Sequence, residues 1–289
     1  VKCLENEGVE YIFGYSGGAA IPIFDALVTT ETNIEFVLVR HEQGAAHMAD
    51  GYARATGKPA VVLVTSGPGA TNTLTGIMTA QMDSVPMIVI SGQAVSWMLG
   101  KDAFQEADIF GITMPVVKHS YLIRETNDIP RITREAFHIA TTGRPGPVLI
   151  DIPKDISAGP FTGSLQAEMD LPGYKLNYEV DNDIILQIAN EIARSKKPVI
   201  LAGHGAMIAK ADEVLLNLAE KANIPVTTTL LGKGIFPESH RLSLGMLGMH
   251  GTAYANKAIC ECDLLIKVCS RFEDRILGKP EMFCKNALI

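Results

Sequence analysis

Two short, uninterrupted apolar runs in the first half of the chain limit the folds that it can adopt. Residues 60–64 read Ala-Val-Val-Leu-Val, and residues 87–90 read Met-Ile-Val-Ile. Neighbouring residues of a strand point to opposite faces of a sheet, so a strand that is apolar throughout has to be covered on both faces. Such strands occupy the centre of parallel sheets. The sequence therefore predicts an α/β domain with helices on both sides of a parallel sheet.

Helical and strand patterns alternate around these two runs, which is typical of consecutive βαβ units. Strands are predicted over residues 11–13, 35–39, 60–65, 87–91, 116–121 and 148–152. The main helices are predicted over residues 42–56, 70–84 and 128–142, and Gly57 is a helix-stop signal for the first of them. This order predicts a doubly wound sheet in the first half of the chain.

Residues 157–182 lose the regular apolar spacing and gather glycine, proline and polar residues, which is typical of a surface linker. A second α/β pattern follows. Its strands are predicted over residues 198–202, 225–229 and 263–268. Its helices are predicted over residues 183–194 and 252–262, and a further helix, which follows the first of these strands, ends at residue 222. We therefore expect two doubly wound parallel-sheet domains, at residues 1–156 and 183–289, of which the second is incomplete.

Charge and composition exclude several classes of protein. The net charge is −7, from 25 basic and 32 acidic residues, which argues against a nucleic-acid partner. No apolar run approaches the roughly 18 residues that a membrane span needs. The five cysteines are few, so we expect free thiols and a cytoplasmic location, or an organellar one in a eukaryote. The chain lacks an initial Met and stops where an apolar run begins, so we expect a fragment.

Three glycine-rich turns follow predicted strands, at residues 14–18, 66–69 and 203–205. Such turns place backbone N–H groups at a helix N-terminus, where anions or polar rings can bind. None of the three completes the dinucleotide or P-loop pattern. From the residues alone, tight chain reversal is favoured over ligand binding for each of them.

Glu42 lies where a predicted strand gives way to a helix, which is the usual position of a ligand crevice in a doubly wound sheet. Two interpretations remain open. The carboxylate stabilises the first turn of the helix through the helix dipole, or it is a buried acid that serves a basic ring nitrogen. His41, His47 and Asp50 lack further ligands at a suitable spacing, and so no metal site is predicted from this chain.

Eight stretches of the chain, in order, carry a resemblance to a known family. They are residues 13–19, 40–54, 65–72, 102–106, 143–147, 153–156, 247–252 and 270–275. These stretches resemble the catalytic subunits of acetohydroxyacid synthase, also called acetolactate synthase, which are thiamine-diphosphate-dependent enzymes. The resemblance implies a pyrimidine-binding domain followed by a truncated central domain of the FAD-binding type.

The resemblance also implies roles for individual residues. Glu42 would hydrogen-bond the aminopyrimidine of thiamine diphosphate, with Gln105 as a second catalytic residue and Pro68 and Asn72 as further cofactor contacts. The substrate channel would include Gly18, Ala19, Phe104 and Lys154. FAD, with a largely structural role, would contact Arg144, Thr229, Leu230, Leu247, Gly248, Met249, His250, Arg271, Glu273 and Arg275.

The implied reaction is decarboxylation of pyruvate and ligation of its hydroxyethyl unit to a second 2-ketoacid, the first common step of branched-chain amino-acid biosynthesis. The ligands for Mg²⁺ would lie in a C-terminal domain whose Gly-Asp-Gly and Asn-Asn motifs are not in this sequence. A homodimer or homotetramer and a regulatory small subunit are implied as well. Residues 94–98 and Met114 depart from the family near the substrate approach, which leaves the second ketoacid open.

Two alternatives remain. One is a related thiamine-diphosphate carboligase or decarboxylase, such as the catabolic acetolactate synthase, against which the match at the FAD positions argues. Glyoxylate carboligase is a poorer match, because its family replaces the glutamate at position 42 with an apolar residue. The other alternative is a non-catalytic cofactor-binding module.

Overall fold

The structure, a computed structural model, describes residues 1–279, 281 and 283–289. The chain divides into two compact units, residues 1–177 and 178–289. Each unit is an α/β fold with a parallel sheet, which confirms the predicted fold class. Among the described residues, no helix combines the length and the apolar character needed to cross a membrane.

The first unit is built on a six-stranded parallel sheet with the order β2-β1-β3-β4-β6-β5. The strands are β1 (Tyr11–Gly14), β2 (Glu35–Leu38), β3 (Ala60–Val64), β4 (Met87–Gln93), β5 (His119–Leu122) and β6 (Pro147–Pro153). Every residue of β3, β4 and β6 is buried. The two apolar runs at residues 60–64 and 87–90 therefore do form interior strands that are covered on both faces.

Helices cover both faces of this sheet. They are α1 (Lys2–Asn6), α2 (Ile21–Thr29), α3 (Glu42–Thr56), α4 (Pro68–Thr71), α5 (Leu74–Asp83), α6 (Ile109–Thr113), α7 (Ile129–Thr141) and α8 (Lys154–Ser157). Alternate residues of β3 enter two different cores. Val62 packs in the core that contains Ile77 of α5, whereas Val61 packs in the core that contains Phe137 of α7.

Helix α3 has the predicted bounds because both of its ends are marked in the sequence. The imidazole Nδ1 of His41 accepts a hydrogen bond from the Gln43 N–H at 3.1 Å, which caps the first turn. Gly57 ends the helix in the left-handed conformation, with a φ of 71°. This capping fixes Glu42 as the first residue of α3.

The single helix predicted over residues 70–84 is wrong, because the chain forms α4 and α5 with a break at Asn72 and Thr73. The hydroxyl of Thr73 donates to the carbonyl of Ala70 at 2.6 Å. Short polar side chains of this kind compete with the helical hydrogen-bond ladder. The break turns the side chain of Asn72 towards Glu42, to which it donates a hydrogen bond.

The segment after α8 runs over the first unit as far as residue 177, beyond the predicted domain boundary at residue 156. The backbone N–H of Asp170 donates to the buried carboxylate of Glu135 at 2.7 Å. The hydroxyl of Tyr174 donates to the carbonyl of Thr142 at 3.1 Å. Both bonds fix the segment to the region of α7.

The second unit contains a four-stranded parallel sheet with the order β10-β7-β8-β9. Its strands are β7 (Pro198–Ala202), β8 (Val226–Thr228), β9 (Ser243–Met246) and β10 (Leu264–Val268), and its helices are α9 (Asn182–Arg194), α10 (His204–Ile208), α11 (Asp212–Ala222), α12 (Ala253–Glu261) and α13 (Asp274–Leu277). Sequence analysis missed β9. This edge strand is only half buried and has no β-branched residue, so it carries little strand signal.

The carboxylate of Asp263 ties together the turns that lead into β7 and β10. It accepts hydrogen bonds from the Ser195 hydroxyl and from the backbone N–H groups of Lys196 and Lys197, at 2.7 and 2.9 Å for the last two. The hydrogen bond from Ser195, together with those from the backbone, lowers the pKa of Asp263 to about 2. The folded state therefore favours the ionised carboxylate.

We predict that Asp263→Asn destabilises the chain above pH 4 and that this difference shrinks in acid. An unfolded aspartate takes up its proton near pH 4, whereas folded Asp263 does so near pH 2, so the parent loses this stabilisation progressively over about pH 4 to 2. Urea unfolding midpoints measured from pH 6 to pH 3 test this. Asp274→Asn, at an exposed carboxylate of the same unit, is the control. Parallel pH profiles for the parent and Asp263→Asn would contradict the prediction.

Candidate active site

Glu42 lies at the carboxyl edge of the first sheet, four residues after the end of β2, and is 9% exposed. Its Oε2 accepts a hydrogen bond from Asn72 Nδ2 at 2.9 Å. Its Oε1 faces Gly69, where an added Cβ would lie 3.4 Å from this oxygen and 2.7 Å from the Thr65 methyl group. The carboxyl group is therefore held in a narrow space against the turn that follows β3.

The turn at residues 66–69 links Glu42 to a second predicted site residue. Gly67 has a φ of 57°, and an added Cβ would lie 2.5 Å from the carbonyl oxygen of Gln105. Only glycine permits this approach, so the backbone of Gln105 packs directly on the turn. Pro68 begins α4 at the same place.

The first glycine-rich turn reaches the same edge of the sheet. The backbone N–H of Ala19 donates to the hydroxyl of Thr65 at 3.2 Å. Gly18 is exposed, and an added Cβ there would meet no atom within 4 Å. The turn therefore borders the Glu42 region and leaves open space at Gly18.

Two further predicted residues belong to this edge, one because it follows the carboxyl end of a parallel strand and the other because it is next to Gln105 in the chain. Lys154 directly follows β6. Phe104 lies beside Gln105 and is 89% exposed, which is unusual for a phenylalanine. The structure thus brings Glu42, Asn72, Pro68, Ala19 and the Gln105 backbone together, with Gly18, Phe104 and Lys154 at the rim of the same edge.

Asp151, which is 2% exposed in β6, was not predicted from the sequence as a site residue. Its carboxylate accepts hydrogen bonds from the Ser91 hydroxyl at 2.6 Å and from the Gln93 amide at 3.0 Å. Burial raises the pKa of Asp151 to about 7, although these two hydrogen bonds act in the opposite direction. The available signal was a lone carboxylate inside an apolar strand run, which is a recognised mark of a functional group.

The predicted FAD residues of the second unit gather only in part. Leu247, Gly248, Met249 and Arg275 line one cavity of about 360 Å³, where the N–H of Met249 donates to the carbonyl of Arg275 at 2.9 Å. His250 lines a separate cavity of about 220 Å³.

The remaining predicted FAD residues occupy other positions. Thr229 caps the turn after β8, where its hydroxyl accepts from the Gly232 N–H at 3.1 Å, and Leu230 follows it. Arg271 and Glu273 are exposed between β10 and α13. Arg144 belongs to the first unit, where its guanidinium donates to the Ser84 hydroxyl at 2.8 Å beside the end of α5.

Comparison with known proteins identifies the class. Residues 1–112 match the N-terminal TPP binding domain of the thiamine pyrophosphate enzymes, and residues 185–289 match the central domain of the same enzymes. The chain belongs to the thiamine pyrophosphate enzyme family.

Within that family the chain is similar to acetolactate synthase large subunits. It is 50% identical over 289 residues to that of Mycobacterium tuberculosis, 49% over 291 residues to that of Haemophilus influenzae and 52% over 293 residues to that of Parasynechococcus marenigrum. These alignments cover all of this chain and 47%, 51% and 48% of the respective relatives. The chain thus spans about half the length of the curated relatives that it matches.

We predict that Gly67→Ala destabilises the first unit, because the added Cβ meets the Gln105 carbonyl and the backbone has a positive φ. The expected loss in the free energy of unfolding is about 1–3 kcal/mol. Gly51→Ala is the matched control: Gly51 lies inside α3, where a Cβ meets no atom within 4 Å, and alanine should stabilise by about 0.4–1 kcal/mol. Urea unfolding measures both changes, and equal effects of the two substitutions would contradict the prediction.

Proposed function

We propose that this chain is the pyrimidine-binding and central part of an acetolactate synthase, which decarboxylates pyruvate and ligates the two-carbon unit to a second 2-ketoacid. The observation that carries the proposal is the buried carboxyl group of Glu42, held by Asn72 at the carboxyl edge of a TPP-binding domain. Identities of about 50% over the whole chain to acetolactate synthase large subunits support it.

The residues around Glu42 fit the pyrimidine end of thiamine diphosphate. Asn72 occupies Oε2, which leaves Oε1, on the side of Gly69, to share a proton with a cofactor ring nitrogen. A buried carboxyl group can exchange a proton with a ring nitrogen more readily than a solvated surface carboxylate can. Thiamine diphosphate, when bound, supplies a nucleophilic carbon and an electron sink for decarboxylation. Pro68 would line the cofactor beside Glu42.

On the substrate side, Gln105 is proposed as a catalytic residue, and Gly18, Ala19, Phe104 and Lys154 as the walls of the channel. The exposed phenyl ring of Phe104 and the open space at Gly18 suit the approach of a small ketoacid. These residues would orient pyruvate and exclude water, while Glu42 holds the proton on the cofactor side.

We also propose that the second unit binds FAD. Its strands β7 and β10 are neighbours, and cofactors bind at the carboxyl ends of such strands. The hydroxyl of Ser270, directly beyond β10, is buried and has no hydrogen-bond partner among the described residues. A polar cofactor group would satisfy it. The proposed contacts in this unit are the cavity residues Leu247, Gly248, Met249 and Arg275, together with Thr229, Leu230, His250, Arg271 and Glu273. The family resemblance implies a further contact from Arg144, which belongs to the first unit.

The remaining parts of the proposal concern groups beyond this sequence. Mg²⁺ and the diphosphate would be held by a domain whose Gly-Asp-Gly and Asn-Asn motifs are not among these 289 residues. We propose a homodimer or homotetramer that places this domain opposite Glu42, in the cytoplasm or an organelle. The names of the relatives include the words "large subunit", which supports a regulatory small subunit.

We predict that Glu42→Gln, tested in the full-length protein that contains this chain, lowers acetolactate formation from pyruvate by about 10²–10⁴-fold. Glutamine keeps the shape and can still accept from Asn72, but it cannot share a proton with a ring nitrogen. Glu35→Gln, an exposed position of β2, is the control and should leave the rate unchanged.

Two outcomes would contradict the proposal. One is a rate for Glu42→Gln within a few-fold of the parent. The other is measurable acetolactate formation by the isolated 289-residue chain, which should be inactive because the proposed diphosphate-binding motifs are not in its sequence. Cofactor binding without any turnover by the full-length protein would favour a non-catalytic binding module.

A further inference from the structure

The segment at residues 94–107, here called the 94–107 loop, connects β4 to α6 and carries both Phe104 and Gln105. Its backbone is strained. Asp102 and Gln105 each have a φ of 53°, a left-handed conformation that is unfavourable for a residue with a side chain. Such conformations persist only where the surrounding structure fixes them.

Gln93, the last residue of β4, closes the base of this loop. Its Nε2 donates to the carbonyl of Ala107 at 2.8 Å, and its Oε1 accepts from the N–H of Ala94 at 2.8 Å. One amide side chain therefore bonds both ends of the loop. The arrangement requires a single orientation of the amide, with Nε2 towards Ala107.

The carboxylate of Asp151, in the neighbouring strand β6, sets that orientation of the Gln93 amide. Its Oδ2 accepts a second hydrogen bond from Gln93 Nε2 at 3.0 Å, and its Oδ1 accepts from the Ser91 hydroxyl at 2.6 Å. While Asp151 is ionised its carboxylate can only accept, so a flipped Gln93 amide would place an oxygen against an oxygen. Asp151 lies in the interior strand β6, which gives the loop a rigid foundation.

Asp155 holds the loop a second time, four residues beyond Asp151. Its Oδ1 accepts from the N–H of Ser96 at 2.7 Å and its Oδ2 accepts from the Ser96 hydroxyl at 2.6 Å. These are short, charge-assisted hydrogen bonds to one residue. Within the loop, the carboxylate of Glu106 accepts from the N–H groups of Gly100 and Ala103.

We propose that Asp151 and Asp155 are positioning residues that act through Gln93 and Ser96 to hold the 94–107 loop in its strained conformation. The loop in turn keeps the backbone of Gln105 on the Gly67 turn, whose next glycine, Gly69, faces Glu42. The structural part of this proposal stands on the contacts alone. Its consequence for catalysis rests on the proposed function.

Hydrogen–deuterium exchange of the full-length protein, read by mass spectrometry on peptides that cover residues 94–107, tests the structural part. We expect exchange in these peptides to accelerate about tenfold in Asp155→Ala and less in Asp155→Asn, which keeps one acceptor oxygen. Asp151→Asn and Gln93→Met should accelerate the same peptides, while peptides from β3 and α3 stay at the parent rate. Asp155→Ala removes a group near the surface, so it remains informative if Asp151→Asn fails to fold.

Ser120→Ala is the matched control, because it removes a buried hydroxyl of β5 whose bond, to Thr113 at 2.9 Å, lies outside the loop. It should leave the peptides of residues 94–107 unchanged. Unchanged exchange in Asp155→Ala and Gln93→Met would overturn the proposal. A uniform acceleration over the whole chain in every variant would overturn it too, since the carboxylates would then support the fold in general.

Steady-state kinetics with pyruvate test the catalytic consequence. In Asp155→Ala we expect kcat to fall about tenfold or more, with a smaller change in KM, because Gln105 is misplaced while the rest of the site is intact. Asp155→Asn should recover part of the loss. A parent protein without acetolactate synthase activity but with loop-specific exchange effects would refute the proposed function and leave the positioning role intact. An active parent whose variants show neither faster exchange in the loop nor a lower kcat would refute the positioning role and leave the proposed function intact.

Discussion

The complete burial of three neighbouring strands, β3, β4 and β6, is the constraint on which the rest of the first unit depends. Polar groups in these strands, and in the segments that pack at their carboxyl ends, lose water and have to bond with one another. Glu42 is bonded by Asn72, Thr65 by the backbone of Ala19, and Asp151 by Ser91 and Gln93. Each of these bonds joins two segments that are far apart in the sequence. The hydrogen bonds that satisfy these buried polar groups are therefore also the bonds that bring the segments of the candidate site together.

The parts of the fold that the sequence predicts are those with a local cause. Strands β3 and β4 follow from continuous apolar runs, and α3 follows from its apolar spacing and from Gly57. The break between α4 and α5 was not predicted because it depends on hydrogen bonds of Asn72 and Thr73, one of them to a residue thirty positions away. Strand β9 was missed because pairing with β8, rather than its own residues, makes it a strand.

The candidate site also has some features that follow from local sequence and others that depend on tertiary contacts. The sequence neighbours of Glu42 favour a helix-dipole residue over a buried acid, and only the family resemblance reversed that preference. Its burial, the bond from Asn72 and the close approach of Gly69 are tertiary facts. Asp151 has no motif around it that names a role, and its importance becomes visible only when the Gln93 amide is seen to donate both to Asp151 and to the carbonyl of Ala107.

There is a physical reason why the 94–107 loop is held by residues outside it as well as by residues within it. A loop that holds two left-handed residues could be stabilised from within, and Glu106 does this for Gly100 and Ala103. Internal bonds fix the shape of a loop but not its place, because the whole segment can still pivot about its ends. Asp155 bonds the loop directly at Ser96, and Asp151 acts on it through Gln93, so that an interior strand and the residues after it fix the place of the loop as well. A side chain such as that of Gln105, which is proposed to act on the substrate, needs both kinds of support if it is to be held to within about 0.5 Å.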